Sequence, residues 1–268
     1  MSIVYKVLIV TIVKDRPQDL ETTIKSVSQQ TYQSLHHFVI DGSSGTQVMD
    51  LIAKGISSKS ISAIFEKDNG IYEAMNKWRL CNIEFDFICW LNAGDSFYSE
   101  STVEKIIQSY EINKWRWSYG NMLFINARGQ IWRTPRQTPF NYLFFRFGVR
   151  WIPHGSVFMT KEFLISLGEY RTDVGPAADQ EFLLRAAQVV LPYAQSDTVL
   201  LFEDGGISSN LQGLKREVSW HSFRVLNNCC IFKSERVDFL FIPIFVIFQW
   251  VSRLLSRIIR ISSIYIRL

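Results

Sequence analysis

The 268-residue chain is 47% hydrophobic, 14% aromatic and 20% charged. That is enough apolar surface for one large core, and it excludes disorder, collagen and a small disulfide scaffold. The net charge of +4 equals the charge of Phe232–Leu268 alone, where six basic residues face two acids. The remainder is balanced, so no nucleic acid is expected as a partner, and the basic end needs its own explanation.

In chain order, Tyr5–Val13, His36–Ile40, Ile61–Phe65 and Phe85–Leu91 read as strands separated by crossover-length segments, a βαβ pattern with a mostly parallel sheet. Pro17 opens a helix running to about Gln30, and Ile71–Leu80 and Ser101–Tyr110 have helical spacing. Beyond residue 115 the pattern becomes antiparallel or mixed. Trp115–Ile125 and Gln130–Thr134 flank a hairpin turn at Asn126–Gly129. Phe140–Trp151 reads as a loop or short helix bordering an acceptor site rather than as core. A strand at Ser156–Thr160, a helix from about Ala178 to Val189 and a strand near Val199–Glu203 follow. The four cysteines show no CxxC spacing, and the short apolar run Val7–Val13 leads to no cleavage site, so a reducing cytoplasm is expected.

Asp15, Asp41, Asp68 and Asp95 each follow a strand closely, at intervals of 26, 27 and 27 residues. Successive βα units produce such spacing, and ligands of open α/β sheets bind beyond the carboxyl ends of the strands, so these acids should gather on one edge. For Asp15 the stronger expectation is a cap on the helix at Pro17. Val13–Pro17 contains neither GxGxxG nor a Walker A motif, which disfavours dehydrogenase and P-loop chemistry. A nucleotidyltransferase would also want a glycine-rich basic loop here. A carboxylate-lined edge can still hold a diphosphate when a divalent cation neutralises the charge.

Val10–Val13, Ile40–Ser44, Glu66–Lys77 and Leu91–Asp95 resemble the successive motifs of family 2 glycosyltransferases, most closely the bacterial members that build exopolysaccharide, capsule or O-antigen units. The likeness covers roughly residues 5–210. It implies a GT-A fold, a mixed α/β sheet flanked by helices, that binds a UDP- or GDP-sugar and transfers the sugar with inversion. By position, Thr11 and Asp41 would contact the base region and Asp68 the same nucleoside, while Asn76 and Lys77 would approach the diphosphate. An exposed helical lysine is also commonly just solvated. In Asn92–Asp95 the family's acidic motif is reduced to one carboxylate. Asp95 would ligate Mn2+ or Mg2+ and Asn92 would meet the ribose, giving a weak metal site; the plain alternative for Asp95 is a cap on the helix beginning near Ser99.

Inverting transfer needs a base opposite the sugar. Asp179, in Pro176–Arg185, resembles the family's acidic motif at a helix start; Glu181, the competitor, points about 200° away. A simple N-cap remains the other role for Asp179. His154 would line the donor or acceptor pocket, or be a satisfied structural histidine. Gly205–Ser208 resembles a loop closing near the product, or is a plain turn.

Phe239–Leu268 holds 20 apolar residues, four arginines and no acid, and its longest charge-free stretch has 14 residues. That is short of the roughly 20 needed to cross a bilayer. Residues 1–231 are therefore expected to form the catalytic domain and 232–268 an amphipathic helical tail on an anionic membrane surface, unless its apolar residues pack on protein. The whole reads as a peripheral enzyme of the cytoplasmic face of the inner membrane with a lipid-linked glycan acceptor. The alternative is a degenerate relative that binds nucleotide or partner without transferring sugar.

Overall fold

The computed structural model describes residues 4–53, 61–126, 129–133, 137–148, 150–203, 211–226, 232 and 234–265. The glycine-containing loop at 205–208 lies outside them. The first half is built from β1 (Val7–Val13), α1 (Pro17–Ser28), β2 (Leu35–Asp41), α2 (Gln47–Ala53), β3 (Ile61–Phe65), α3 (Ile71–Asn76) and β4 (Phe87–Trp90). Then come β5 (Ser96–Phe97), α4 (Thr102–Asn113), β6 (Trp117–Ile125), β7 (Ile131–Arg133), α5 (Tyr142–Arg146), β8 (Phe158–Thr160), α6 (Lys161–Leu167), α7 (Ala178–Val189), β9 (Tyr193–Glu203), α8 (Leu211–Leu226) and α9 (Glu235–Tyr265). Short 3-10 turns occupy Lys77–Leu80 and His154–Ser156.

Among the described residues nine strands form one sheet of order β3-β2-β1-β4-β8-β6-β9-β5, with β7 paired to β6. β1 lies between β2 and β4, and β3, β2, β1 and β4 are parallel. β8 runs antiparallel to both β4 and β6, and β6 is parallel to β9. Strands covered on both faces are near-continuously apolar, as in β1 and β4. Alternation then divides the core: Leu8, Val10, Ile88 and Trp90 face α3, α5 and α7, while Val7, Ile9, Cys89 and Leu91 face α4. On α1, Leu20, Thr23, Ile24 and Val27 recur at helical spacing and bury one stripe.

Two expectations are corrected. Phe140–Trp151 does form a short helix, but Phe145 within it is core, packed on Phe140 and Trp220. The strand expected near Val199 begins six residues earlier, because it pairs along most of β6. In the last region one side of the amphipathic helix packs on the domain, the alternative the sequence leaves open. Asp238, Ile242 and Val246 of α9 are buried, and Asp238 accepts from Arg224 Nη1 of α8 at 2.9 Å with both side chains fully enclosed. The opposite face of the helix is exposed, and no helix among the described residues is long and apolar enough to cross a membrane.

Candidate active site

The parallel strands end at a common rim. β2 closes with Asp41, in register with Val13 at the end of β1, and the buried Asp41 carboxylate accepts from Ser43 N at 2.8 Å. Asp68 leans over Gly42: a Cβ on Gly42 would stand 2.1 Å from Asp68 Oδ2, so glycine leaves room for the carboxylate in this position. Asp68 Oδ1 accepts from Gly70 N at 3.0 Å. Asp15, at φ +53°, accepts from Ser44 N and donates its own N–H to Ser43 Oγ. The expectation that it caps α1 is overturned, since Arg16 is the N-cap residue and no side chain caps that helix. Asp15 instead ties the loop after β1 to the loop after β2.

Several side chains assigned to the donor serve the scaffold. The fully buried Thr11 hydroxyl donates to Leu91 O at 2.7 Å and lies 2.8 Å from His37 Nε2, so it faces a neighbouring strand and not the rim. Asn76 spends its amide on one residue, accepting from Tyr170 N at 2.8 Å and donating to Tyr170 O at 2.9 Å. Lys77 is buried, and its ammonium donates to Glu66 O and Lys67 O at 3.1 and 2.7 Å. It pins the loop that presents Asp68, so it is neither a solvated lysine nor, in this arrangement, a diphosphate ligand.

At the end of β4 the chain turns through Gly94, at φ +97°, whose N–H donates to Thr23 Oγ1. The same hydroxyl lies 2.8 Å from Asp95 O. Asn92 Oδ1 is a buried acceptor without a partner, the kind of atom a ligand hydroxyl would satisfy. Asp95 is buried and does not cap α4, which begins at Thr102 with Ser101 as N-cap. Its Oδ2 stands 3.5 Å from where a Cβ of Gly155 would be, so it abuts the turn that carries His154. Among the described residues no three His, Cys, Asp or Glu side chains come together as a metal site. One carboxylate and one amide oxygen fall short of the six to eight oxygen ligands of Ca2+ or the octahedron of Mg2+. The protein residues alone do not fit a preformed metal centre.

The opposite wall comes from α3, the turn at His154, and α7. His154 Nε2 is 2.8 Å from Tyr170 Oη, and both rings pack on Trp90. Burial pushes the His154 pKa down, and the Asp179 carboxylate opposes that shift. Burial raises the Tyr170 hydroxyl well above its usual value, so Tyr170 stays protonated. Asp179, half-buried in the first turn of α7, is not its N-cap, which is Ala177. Its Oδ2 accepts from Gln180 Nε2 at 3.0 Å, and its Oδ1 lies 3.3 Å from Tyr72 Oη, whose single proton is shared with the nearer Pro176 O at 3.1 Å. Gln180 is itself fixed by Ile152 N and O. Glu181 points into the interior, paired through two oxygens with Arg185, and its pKa is raised by burial against the pull of that guanidinium. Arg185 also donates to Leu167 O and Glu169 O, so Glu181 braces the approach to Tyr170.

Two single-residue links therefore join the halves of the site. Tyr72, four residues after Asp68, reaches Asp179, and Gly155 abuts Asp95 while its neighbour His154 holds Tyr170. Sequence reasoning missed Tyr72, Gln180, Trp90 and Tyr170 as parts of this wall. Tyr72 lies inside the Glu66–Lys77 motif, whereas nothing in the residue order marks Tyr170.

The chain has the fold of GT-A transferases. Staphylococcus aureus TarS residues 1–349 in complex with UDP-GlcNAc superpose with a TM-score of 0.65 at 11% identity, over 88% of this chain and 72% of that one. The chain spans 41% of the longer TarS chain. The mannosyltransferase PcManGT of Pyrobaculum calidifontis, in complex with GDP-Man and Mn2+, gives 0.57 at 14% identity over 90% and 70%. In sequence, an uncharacterized glycosyltransferase of Mycobacterium tuberculosis, Rv1514c, is 29% identical over 211 residues, 76% of this chain and 77% of that protein. The family model "Glycosyl transferase family 2" matches residues 8–166, from the first strand through the acid rim, the His154 turn and most of α6, which is more than half of the chain. With that match added to an acid-rimmed parallel sheet, the chain belongs to glycosyl transferase family 2.

Proposed function

We propose that this protein is an inverting glycosyltransferase that takes a sugar from a UDP- or GDP-sugar and passes it to a lipid-linked glycan in bacterial surface polysaccharide synthesis. The observation that carries the reading is the Tyr72–Asp179 contact, which ties the half-exposed carboxylate of α7 to the helix following the Asp68 loop. The nucleoside lies against Asp41 and Asp68 at the ends of β2 and β3, and Asn92 Oδ1 accepts from a ribose hydroxyl. The acceptor hydroxyl approaches from the α7 side. As its oxygen bonds to the anomeric carbon, the bond from that carbon to the diphosphate breaks, and Asp179 takes the acceptor proton. Gln180 and Tyr72 keep the carboxylate aimed, and the nucleoside diphosphate leaves with the bond electrons.

A divalent cation, Mn2+ or Mg2+, would offset diphosphate charge beside Asp95, with the donor's own oxygens completing its shell. Metal binding is thus expected only together with nucleotide. The exposed side of α9 and the arginines of its sequence support a peripheral place on an anionic membrane surface at the cytoplasmic face, with residues 232–268 as the attachment. A binding subunit without transfer is the second reading, favoured by the single carboxylate at the end of β4. The test is a thermal-shift screen of UDP and GDP with and without Mn2+, followed by donor turnover. Cation-dependent stabilisation together with turnover supports transfer, nucleotide binding without turnover supports the subunit, and no shift with any nucleotide refutes both.

A further inference from the structure

We propose that the tip of α5 and the outward side of α9 form one docking surface for an anionic lipid bilayer, a reading that rests on the membrane attachment proposed above. Leu240, Ile244, Ile247, Phe248 and Val251 of α9 are exposed and fall within about 100° of helix circumference. The buried Asp238, Ile242 and Val246 lie on the opposite side. On α5, Leu143 and Phe144 are also exposed, at 56% and 44%, with the Arg150 guanidinium 5.5 Å over the Phe144 ring.

Arg224 brings these elements together. Its guanidinium stands 5.7 Å over Phe147, next to the end of α5, and 5.3 Å over Phe245 of α9, and it pairs with Asp238 of α9. The fully enclosed Arg224–Asp238 pair thus links the end of α5 to the buried side of α9.

Charge selects the partner. Residues 112–161, which include α5, contain eight Lys and Arg and no Asp or Glu, and residues 239–268 contain four Arg and no acid. Anionic headgroups over acyl chains match both features, the basic excess of these segments and the exposed apolar side chains on α5 and α9. Docking through two elements orients the body, and α5 connects directly to the segment that leads into His154.

The experiment is co-sedimentation of the full chain with phosphatidylcholine vesicles, with and without phosphatidylglycerol. The double variant Leu143→Ser/Phe144→Ser is compared with the triple variant Ile247→Ser/Phe248→Ser/Val251→Ser, and unchanged melting midpoints check that both fold. We expect binding that requires phosphatidylglycerol and partitioning about tenfold weaker in each variant. Wild-type partitioning by the α5 variant, with loss in the α9 variant, overturns the two-element surface and leaves attachment through α9 standing. Absence of vesicle binding defeats membrane attachment itself, and vesicle binding with no loss in either variant overturns this docking surface and places attachment elsewhere. A wild-type dimer that both variants return to monomer, without vesicle binding, makes a second copy of the chain the occupant.

Discussion

The first half, from β1 to the end of β4, and the half contributed by α5 to α8 use polar side chains differently. In the first, Thr11, Asn76 and Lys77 are buried or committed to backbone partners, and they hold loops so that a few carboxylates reach the rim. In the second, Asp179 stays half-exposed and is itself held by Tyr72 and Gln180. One half presents strand ends on a rigid scaffold, while the other presents a half-exposed carboxylate held by its neighbours.

That contrast can be tested in descending order of effect. Asp179→Asn should lower sugar transfer by about 10²–10⁴-fold, with nucleoside diphosphate affinity within twofold of wild type by calorimetry; unaltered turnover would remove Asp179 as base. Asp238→Ala leaves Arg224 buried without its carboxylate and should cost about 3–5 kcal/mol in denaturant unfolding. A negligible change would mean that α9 is not anchored to α8.

Asn76→Ala separates a scaffold role from a ligand role. Removing both hydrogen bonds to the Tyr170 backbone should cost about 2–4 kcal/mol of stability. Unchanged stability with weakened donor binding would return Asn76 to the diphosphate. Gly42→Ala forces the Asp68 carboxylate aside and should weaken UDP or GDP binding about tenfold, close to 1.4 kcal/mol, with little change in melting.

A separate effect follows from protonation. Burial lowers the pKa of His36 and His154 and takes His37 to about 3, against an ordinary 6.5. Above pH 6.5 these imidazoles are neutral in both the folded and unfolded chain and contribute no pH dependence. As the pH falls below 6.5 the unfolded chain takes up protons that the folded chain refuses, so stability declines toward the folded values. Melting midpoints recorded from pH 8 to pH 5 should fall, with proton uptake on unfolding at the acid end.

Much of the frame was readable beforehand. Ile61–Phe65 and Ala178–Val189 have the expected bounds, and the parallel first half and mixed second half follow from where β-rich runs alternate with helical ones. The crossover between β2 and β3 contains α2 as the βαβ pattern predicts, whereas β5, α6 and α8 have no such signal. β5 has only two residues, and no two-residue strand leaves a periodic signal. Phe140–Trp151 misled because its weak periodicity conceals Phe145, which is buried by contacts from α7 and α8 that lie far along the chain.

Within the site, residue order predicts which acids follow the parallel strands, because a strand followed by a returning helix brings each successive strand end to the same side of the sheet. The contacts join the loops of Asp15, Asp41 and Asp68, and Asp95 abuts the turn at Gly155. Residue order also separated Asp179 from Glu181, since two steps along a helix turn a side chain through about 200°. Which polar groups remain for a ligand was decided only by packing across the sheet. The amide of Asn76 and the ammonium of Lys77 bond equally well to a diphosphate or to a backbone carbonyl, and the choice depends on which segment folds against them.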